Sequence, residues 1–275
     1  MSLESDASHA LDFDAYTKTN TRMLRRAKTL PKDKLEGLAR EALRRLAGQS
    51  TKIQVEAIGP EKTELLHLCE ALVGEDDTAA AKLIAAVHAE GVPAETVYLK
   101  YFAAAARELG EWWKQDRVGF WEVTVGIGRL MAIMHTMSHQ FKPTVRYDHQ
   151  SAVFASVPGE QHVLGLHMAS DLFRKDGWDI TVLSGLDHDQ LVAEIERSNT
   201  RLIGLSMSGG HSLEALSKLV VALRICCPHA RIIVSGQKIE EIRAKLLPME
   251  LDGIVGSIDD AKVQMAELWD NAVIS

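Results

Sequence analysis

Between about residue 60 and residue 141, apolar positions recur at helical spacing and β-branched runs are few. Leu65, Leu68, Leu72 and Val73 mark one amphipathic helix, and Leu83, Ile84 and Val87 mark a second that starts near Asp77. Pro93 lies at the start of a third, VPAETVYLKYFAAAARELGEWW, because proline is tolerated in a first helical turn. A fourth runs from Phe120 to Phe141. Helices of this kind with short connections predict an antiparallel four-helix bundle. Near residue 150 the pattern changes to short β-branched runs that alternate with helical stretches. Strands are expected at Ala152–Ser156, Asp179–Leu183, Arg201–Ser206, Arg231–Ser235 and Gly253–Gly256. Helices are expected near 163–176, 188–198, 212–227, 238–245 and 259–271. This is an α/β pattern, a flavodoxin-like (Rossmann-type) five-stranded parallel sheet. The expected division is 1–50 an arm, partly disordered with a basic helix, 51–148 a helical bundle, and 149–275 a Rossmann-like domain.

Composition narrows the function classes. The chain has 275 residues, 46% hydrophobic and 25% charged, the balance of an ordinary globular protein. Its formal net charge of −7 argues against direct nucleic-acid binding by the core. No apolar run is long enough to span a membrane, and the acidic, polar N-terminus does not read as a signal peptide. Three cysteines, Cys69, Cys226 and Cys227, form no spaced framework, which fits a reducing cytoplasm. Residues 1–20 are polar and expected to be disordered. Residues 21–48 carry a run of Lys and Arg, read as a solvated helix face or a docking segment for an acidic partner or for DNA held by that partner.

Candidate chemistry concentrates at the expected strand ends, where ligands bind in such sheets. The phosphate-binding signatures GxxxxGK[ST] and GxGxxG are missing there. Instead, the first strand is followed by PGEQHVLGL, with Glu160, His162 and Gly165. The third ends in SMSGGHS, with Ser206, Ser208 and Gly209, and the fourth in VSGQ, with Ser235 and Gly236. An imidazole is a good ligand for a first-row transition metal, and a carboxylate commonly orients it through its other nitrogen. Small residues at the strand ends leave room for a long ligand. In the first half, Trp112, Trp113 and Trp121 fall between the third and fourth helices, as core packing or as an aromatic lid over a flat ligand. His135 and His139 share a helix face, but no third metal ligand is apparent nearby. Leu186-Asp187-His188-Asp189 reads as a helix cap, and Cys226-Cys227 as packing residues.

The strand-end residues resemble the cobalamin-binding domain pattern: DxHxxG after the first strand, SxL at the end of the third and GG at the end of the fourth. Here Glu160-Gln161-His162-Val163-Leu164-Gly165, Ser206-Met207-Ser208 and Ser235-Gly236 follow in that order and at similar spacing. The resemblance implies that His162 is the lower axial cobalt ligand and that Glu160 orients it. It implies a serine for the cofactor's displaced base and glycines beside its nucleotide tail. The first half resembles the helical cap of such proteins, in which a Leu-Gly-x-x-Trp turn precedes a Glu-His pair over the upper face. Leu109, Gly110 and Trp113 match the turn and Glu122 the glutamate, but Val123 stands where the histidine would be. The upper ligand then comes from elsewhere, with His135 or His139 as candidates.

Three departures stand out: Glu160 for aspartate, Ser208 for the leucine of SxL and Ser235 for the first glycine of GG. With the basic arm, they resemble the antirepressor group typified by AerR and PpaA of photosynthetic bacteria. The resemblance implies a cytoplasmic, non-enzymatic, light- or redox-responsive regulator that grips a transcription repressor of the PpsR/CrtJ type. The alternatives are a corrinoid shuttle of a methyltransferase system and a haem-binding sensor on the same scaffold.

Overall fold

The computed structural model describes residues 15–18, 20–21, 60–141, 150–160, 163–236 and 238–274. The described residues fall into two compact units, one ending at Phe141 and the other running from Gln150.

In the first unit, α1 is Lys62–Val73 and α2 is Ala79–Ala89. The expected third helix is not uniform. A turn at Ala94–Thr96 leads into a π-helical segment, Val97–Phe102, before α3, Ala103–Lys114. The wider π turn accompanies the burial of Val97, Tyr98, Tyr101 and Phe102 within a single stretch. α4, Phe120–Met137, closes with a 3-10 turn, Ser138–Phe141. α1 packs against α2, α3 and α4. Gly126 permits the close approach of α4, since a Cβ there would lie 3.1 Å from Leu109 Cδ1. Tyr98 bridges segments, donating from its hydroxyl to the Met134 carbonyl at 2.9 Å and stacking on Phe141. Arg129 is buried and caps the end of α1, donating to the Leu72 and Gly74 carbonyls at 2.8 and 2.7 Å.

The expectation of disorder through residue 20 is corrected at its end. Residues 15–18 are helical, and Tyr16 is fully buried with its hydroxyl donating to the Asp77 carbonyl. One aromatic in a polar stretch finds a place in the core, a long-range contact that local composition does not encode. Residues 1–14 and the basic stretch 22–48 lie outside the described residues.

The second unit is an all-parallel five-stranded sheet of order β2-β1-β3-β4-β5, as the alternation predicts. Its strands are β1 Ser151–Ser156, β2 Asp179–Leu183, β3 Leu202–Ser206, β4 Arg231–Ser235 and β5 Gly253–Val255. The helices are α5 Leu164–Lys175, α6 His188–Ser198, α7 Leu213–Cys226, α8 Ile239–Leu246 and α9 Ile258–Ile274. Side chains alternate between faces. Val153, Ala155, Ile203, Leu205, Ile232 and Val234 pack with α6, α7 and α8. Ala152, Phe154, Leu202, Ile233 and Val255 pack with α5 and α9, where Phe173, Trp178 and Trp269 stack edge to face. Asp187 caps α6 as expected, accepting from the Gln190 N–H at 2.9 Å. Cys226 and Cys227 end α7 with sulfurs 3.5 Å apart. Burial, aided by the hydrogen bond between them, pushes the Cys227 thiol up to about 12, so it is protonated at neutral pH.

Asp252 ties the amino ends of β4 and β5. Its carboxylate accepts from Arg224 at 2.7 Å, from Arg231 at 3.0 Å and from the Ile232 N–H at 2.8 Å. Burial raises its pKa, but these bonds outweigh burial and hold it below the ordinary aspartate value. The stability it contributes is present above the unfolded-state pKa and lost as pH falls toward the lower native one. Asp252→Asn is expected to cost about 2 kcal/mol at neutral pH. The penalty should shrink below pH ~4, where the parent carboxylate is itself being protonated. Urea unfolding of both chains at neutral and acid pH checks it; an undiminished penalty at acid pH would contradict the assignment.

Candidate functional site

The carboxyl ends of β1, β3 and β4 lie in one row. Ser206 is in register with Ser156 on one side and Ser235 on the other. By alternation all three serines share the face that carries Phe154 and α5, at its carboxyl-end limit. The sheet thus closes with small polar residues where a large apolar row would fill the space.

The turn after β1 is written in Pro158-Gly159. The Val157 N–H continues the ladder to the Ser206 carbonyl at 3.0 Å, and the Glu160 N–H returns to the Val157 carbonyl at 2.9 Å. Pro158 takes the second position of this turn, and Gly159 takes the third with φ of +80°. Proline followed by a left-handed glycine is the signature of a type II turn. It reverses the chain and sets Glu160 against the β3 loop.

Glu160 is 5% exposed, and the described partners of its carboxylate lie on that loop. Oε2 accepts from the Ser208 N–H at 2.8 Å, the Ser208 hydroxyl at 2.8 Å and the Ser212 hydroxyl at 3.1 Å. His211 Nε2 lies 3.4 Å from the same oxygen and 2.6 Å from Ser212 Oγ. A buried carboxylate is costly unless its charge meets such donors. One contact therefore unites two departures from the cobalamin-binding pattern. The longer carboxylate of Glu160 reaches the serine that stands where the pattern has leucine. Ser212 and His211 are functional candidates that the sequence reading passed over. Both lie within the quoted SMSGGHS, three residues or fewer beyond Gly209, so the signal was present.

The remaining expected residues divide as follows. His162 lies outside the described residues, as does Gln161. Gly165 begins α5 at the surface, and a Cβ there would meet nothing within 4 Å, so it faces open space. Gly209 is buried and extended, and its carbonyl receives the Ser212 N–H at 3.1 Å. Gly236 has a reason of its own: a Cβ would fall 2.0 Å from the Met207 carbonyl oxygen. In the helical unit, Trp112 is buried, donates from Nε1 to Glu108 at 2.8 Å and receives Arg117 over its ring at 4.5 Å. Trp113 is half-buried, and Trp121 is 44% exposed. Glu122 caps its own helix, accepting from the Gly119 N–H at 2.5 Å. His135 is exposed, and the His139 ring binds the Thr136 carbonyl at 2.6 Å. Among the described residues, no group of three His, Cys, Asp or Glu side chains is placed to hold a metal. No described helix is long and apolar enough to cross a membrane.

These residues fit a cobalamin. No described atom crowds Gly165, the row of serines leaves the sheet end polar and uncrowded, and Glu160 is fixed against the loop that follows β3. By the resemblance, Ser206 and Ser235 would supply hydroxyls to the cofactor's base and tail, and His162, outside the described residues, the nitrogen donor.

A family comparison agrees. Residues 150–266 match the model of the B12 binding domain family. Over 160 residues the chain is 29% identical to an uncharacterized 20.5 kDa protein in the bchF-crtJ intergenic region of Rhodobacter capsulatus, covering 57% of this chain and 82% of that one. The Methanosarcina barkeri monomethylamine corrinoid protein superposes with a TM-score of 0.62 at 14% identity, over 75% of this chain and 99% of its own, a likeness of fold. A cobalamin-binding protein from Desulfitobacterium hafniense DCB-2 aligns over 74% of this chain and 98% of its own, with 16% identity and a TM-score of 0.40.

Proposed function

We propose that this chain, whose residues 150–266 form a B12-binding domain with cobalamin as its cofactor, is a light- or redox-responsive regulator that acts by binding a transcription repressor rather than by turnover. The observation that carries the reading is the pairing of that domain with a relative from the bchF-crtJ intergenic region. CrtJ names the repressor type implied by the resemblance to the antirepressor group. The departures at Glu160, Ser208 and Ser235 support the same group.

When bound, cobalamin would supply a light-sensitive bond between cobalt and carbon or oxygen. The chain's part is to hold and orient. His162 would be the nitrogen donor to the cobalt, Glu160, tied to the β3 loop, would orient it, and Ser206 and Ser235 would hold the base and tail. A regulator of this kind needs two states that differ in affinity for the repressor, and no chemical product.

The full chain supplied with hydroxocobalamin, methylcobalamin or adenosylcobalamin is expected to retain corrin absorption bands and stoichiometric cobalt after gel filtration. Illumination should then change its affinity for a CrtJ-type repressor by tenfold or more, about 1.4 kcal/mol. A chain that stays colourless with every form defeats the cofactor assignment. A Soret band with iron would favour the haem sensor, and methylation of bound cob(I)alamin by a partner enzyme would favour the shuttle.

A further inference from the structure

Glu160 has partners that the motif does not assign, and the outermost of them reaches solvent. His211 is 27% exposed at its side chain, whereas that of Glu160 is 1% exposed. Between them, Ser212 is buried. A serine hydroxyl has one proton to donate. With Ser212 donating to the Glu160 carboxylate at 3.1 Å, the 2.6 Å contact with His211 requires the imidazole Nε2–H to donate to Ser212 Oγ. The donors therefore run in one direction, from His211 through Ser212 to Glu160. Without His211, the Ser212 hydroxyl loses the bond that fixes its rotation. The chain of donors then stops at Ser212, whose bond to the carboxylate loses the polarisation that His211 supplies.

We propose that His211 is a positioning residue of the cofactor site, holding Glu160 through Ser212 in the place from which the lower cobalt ligand is oriented. The inference rests on the cobalamin reading above, and it concerns a residue outside the DxHxxG, SxL and GG pattern. The role requires a ring N–H at the reach of Nε2 and no positive charge. A glutamine amide at the same position presents a nitrogen donor of similar reach, whereas a leucine presents none.

The test uses the nitrogen-15-labelled full chain loaded with hydroxocobalamin and reduced to the cob(II)alamin form. Its electron paramagnetic resonance spectrum then separates splitting by a protein nitrogen from splitting by the cofactor's own base. His211→Leu is expected to weaken cobalamin binding about tenfold and to diminish the protein-nitrogen splitting. Ser212→Ala should do the same, and His211→Gln should stay within about twofold of the parent. The thermal midpoint of His211→Leu should match the parent, since the ring is partly exposed and fills no core space. A His211→Leu chain with parent affinity and parent splitting would overturn the role of His211 and leave the cofactor reading intact. A parent chain that binds no cobalamin, or binds it with no protein-nitrogen splitting, would overturn the reading and this inference together.

Discussion

Gly236→Ala is expected to destabilise the B12-binding unit by about 3 kcal/mol or more and to abolish cobalamin binding. A Cβ on residue 236 would sit 2.0 Å from the Met207 carbonyl oxygen and 3.1 Å from its carbon. A separation under about 3 Å between such atoms is far inside their contact distance, and a backbone oxygen has no rotamer by which to yield. The β3 exit must therefore move away from β4. That movement has a specific victim. The Met207 carbonyl and the Ser208 N–H belong to one planar peptide group. Its carbonyl end packs against Gly236, while its N–H end donates to Glu160 at 2.8 Å. Pushing one end tilts the other, so the carboxylate loses a charge-assisted bond as the strands part. The Met207 N–H, bonded to the Ser235 carbonyl at 3.0 Å, is strained by the same shift. Urea unfolding and a cobalamin titration of Gly236→Ala against the parent measure both effects. A midpoint unchanged from the parent would show that the peptide moves freely and that the row of strand ends is not rigid.

How much of this was legible in the chain follows from the range of each interaction. The sheet was, because β-branched runs and their spacing are local signals; β2 and β4 begin and end as the pattern predicts. The Asp187 cap was, since its partner Gln190 is three residues away. The π-helical segment at Val97–Phe102 was not, because the windows that reveal helices assume one period, and this stretch adopts another to bury its aromatic side chains. Tyr16 was hidden for a related reason, its partner Asp77 being supplied by a distant helix connection. The site shows the same division. Pro158-Gly159 announces its turn, and the serines and glycines of the strand ends announce a ligand slot. That Glu160 reaches Ser208 and Ser212, rather than a near neighbour alone, depends on the pairing of β1 with β3. Gly236 was readable as a glycine at a strand end, but the Met207 carbonyl that requires it is set by the strand pairing.

The double variant Glu160→Asp with Ser208→Leu is expected to be more stable than its two single variants predict by addition, by about 1 kcal/mol. Glu160→Asp shortens the side chain by one methylene. The carboxylate then falls short of the β3 loop, and the Ser208 hydroxyl and N–H lose their acceptor, at a cost of about 1.5 kcal/mol. Ser208→Leu removes the hydroxyl while Glu160 remains buried and charged beside it, at about 2 kcal/mol. Each single variant strands the partner of the residue it changes. The double variant leaves only the backbone N–H of residue 208 short of its acceptor, because the shorter carboxylate no longer calls on the hydroxyl that the leucine lacks. It also reinstates at both positions the residues of the cobalamin-binding pattern from which this chain departs. Unfolding free energies of the four chains close the cycle, and cobalamin affinity measured on the same four shows whether the coupling extends to the ligand. Strict additivity would mean that Glu160 and Ser208 are independent departures that happen to touch. A favourable coupling would establish them as one change made twice, in which the lengthened acid and the added hydroxyl together bind the β1 turn to the β3 loop.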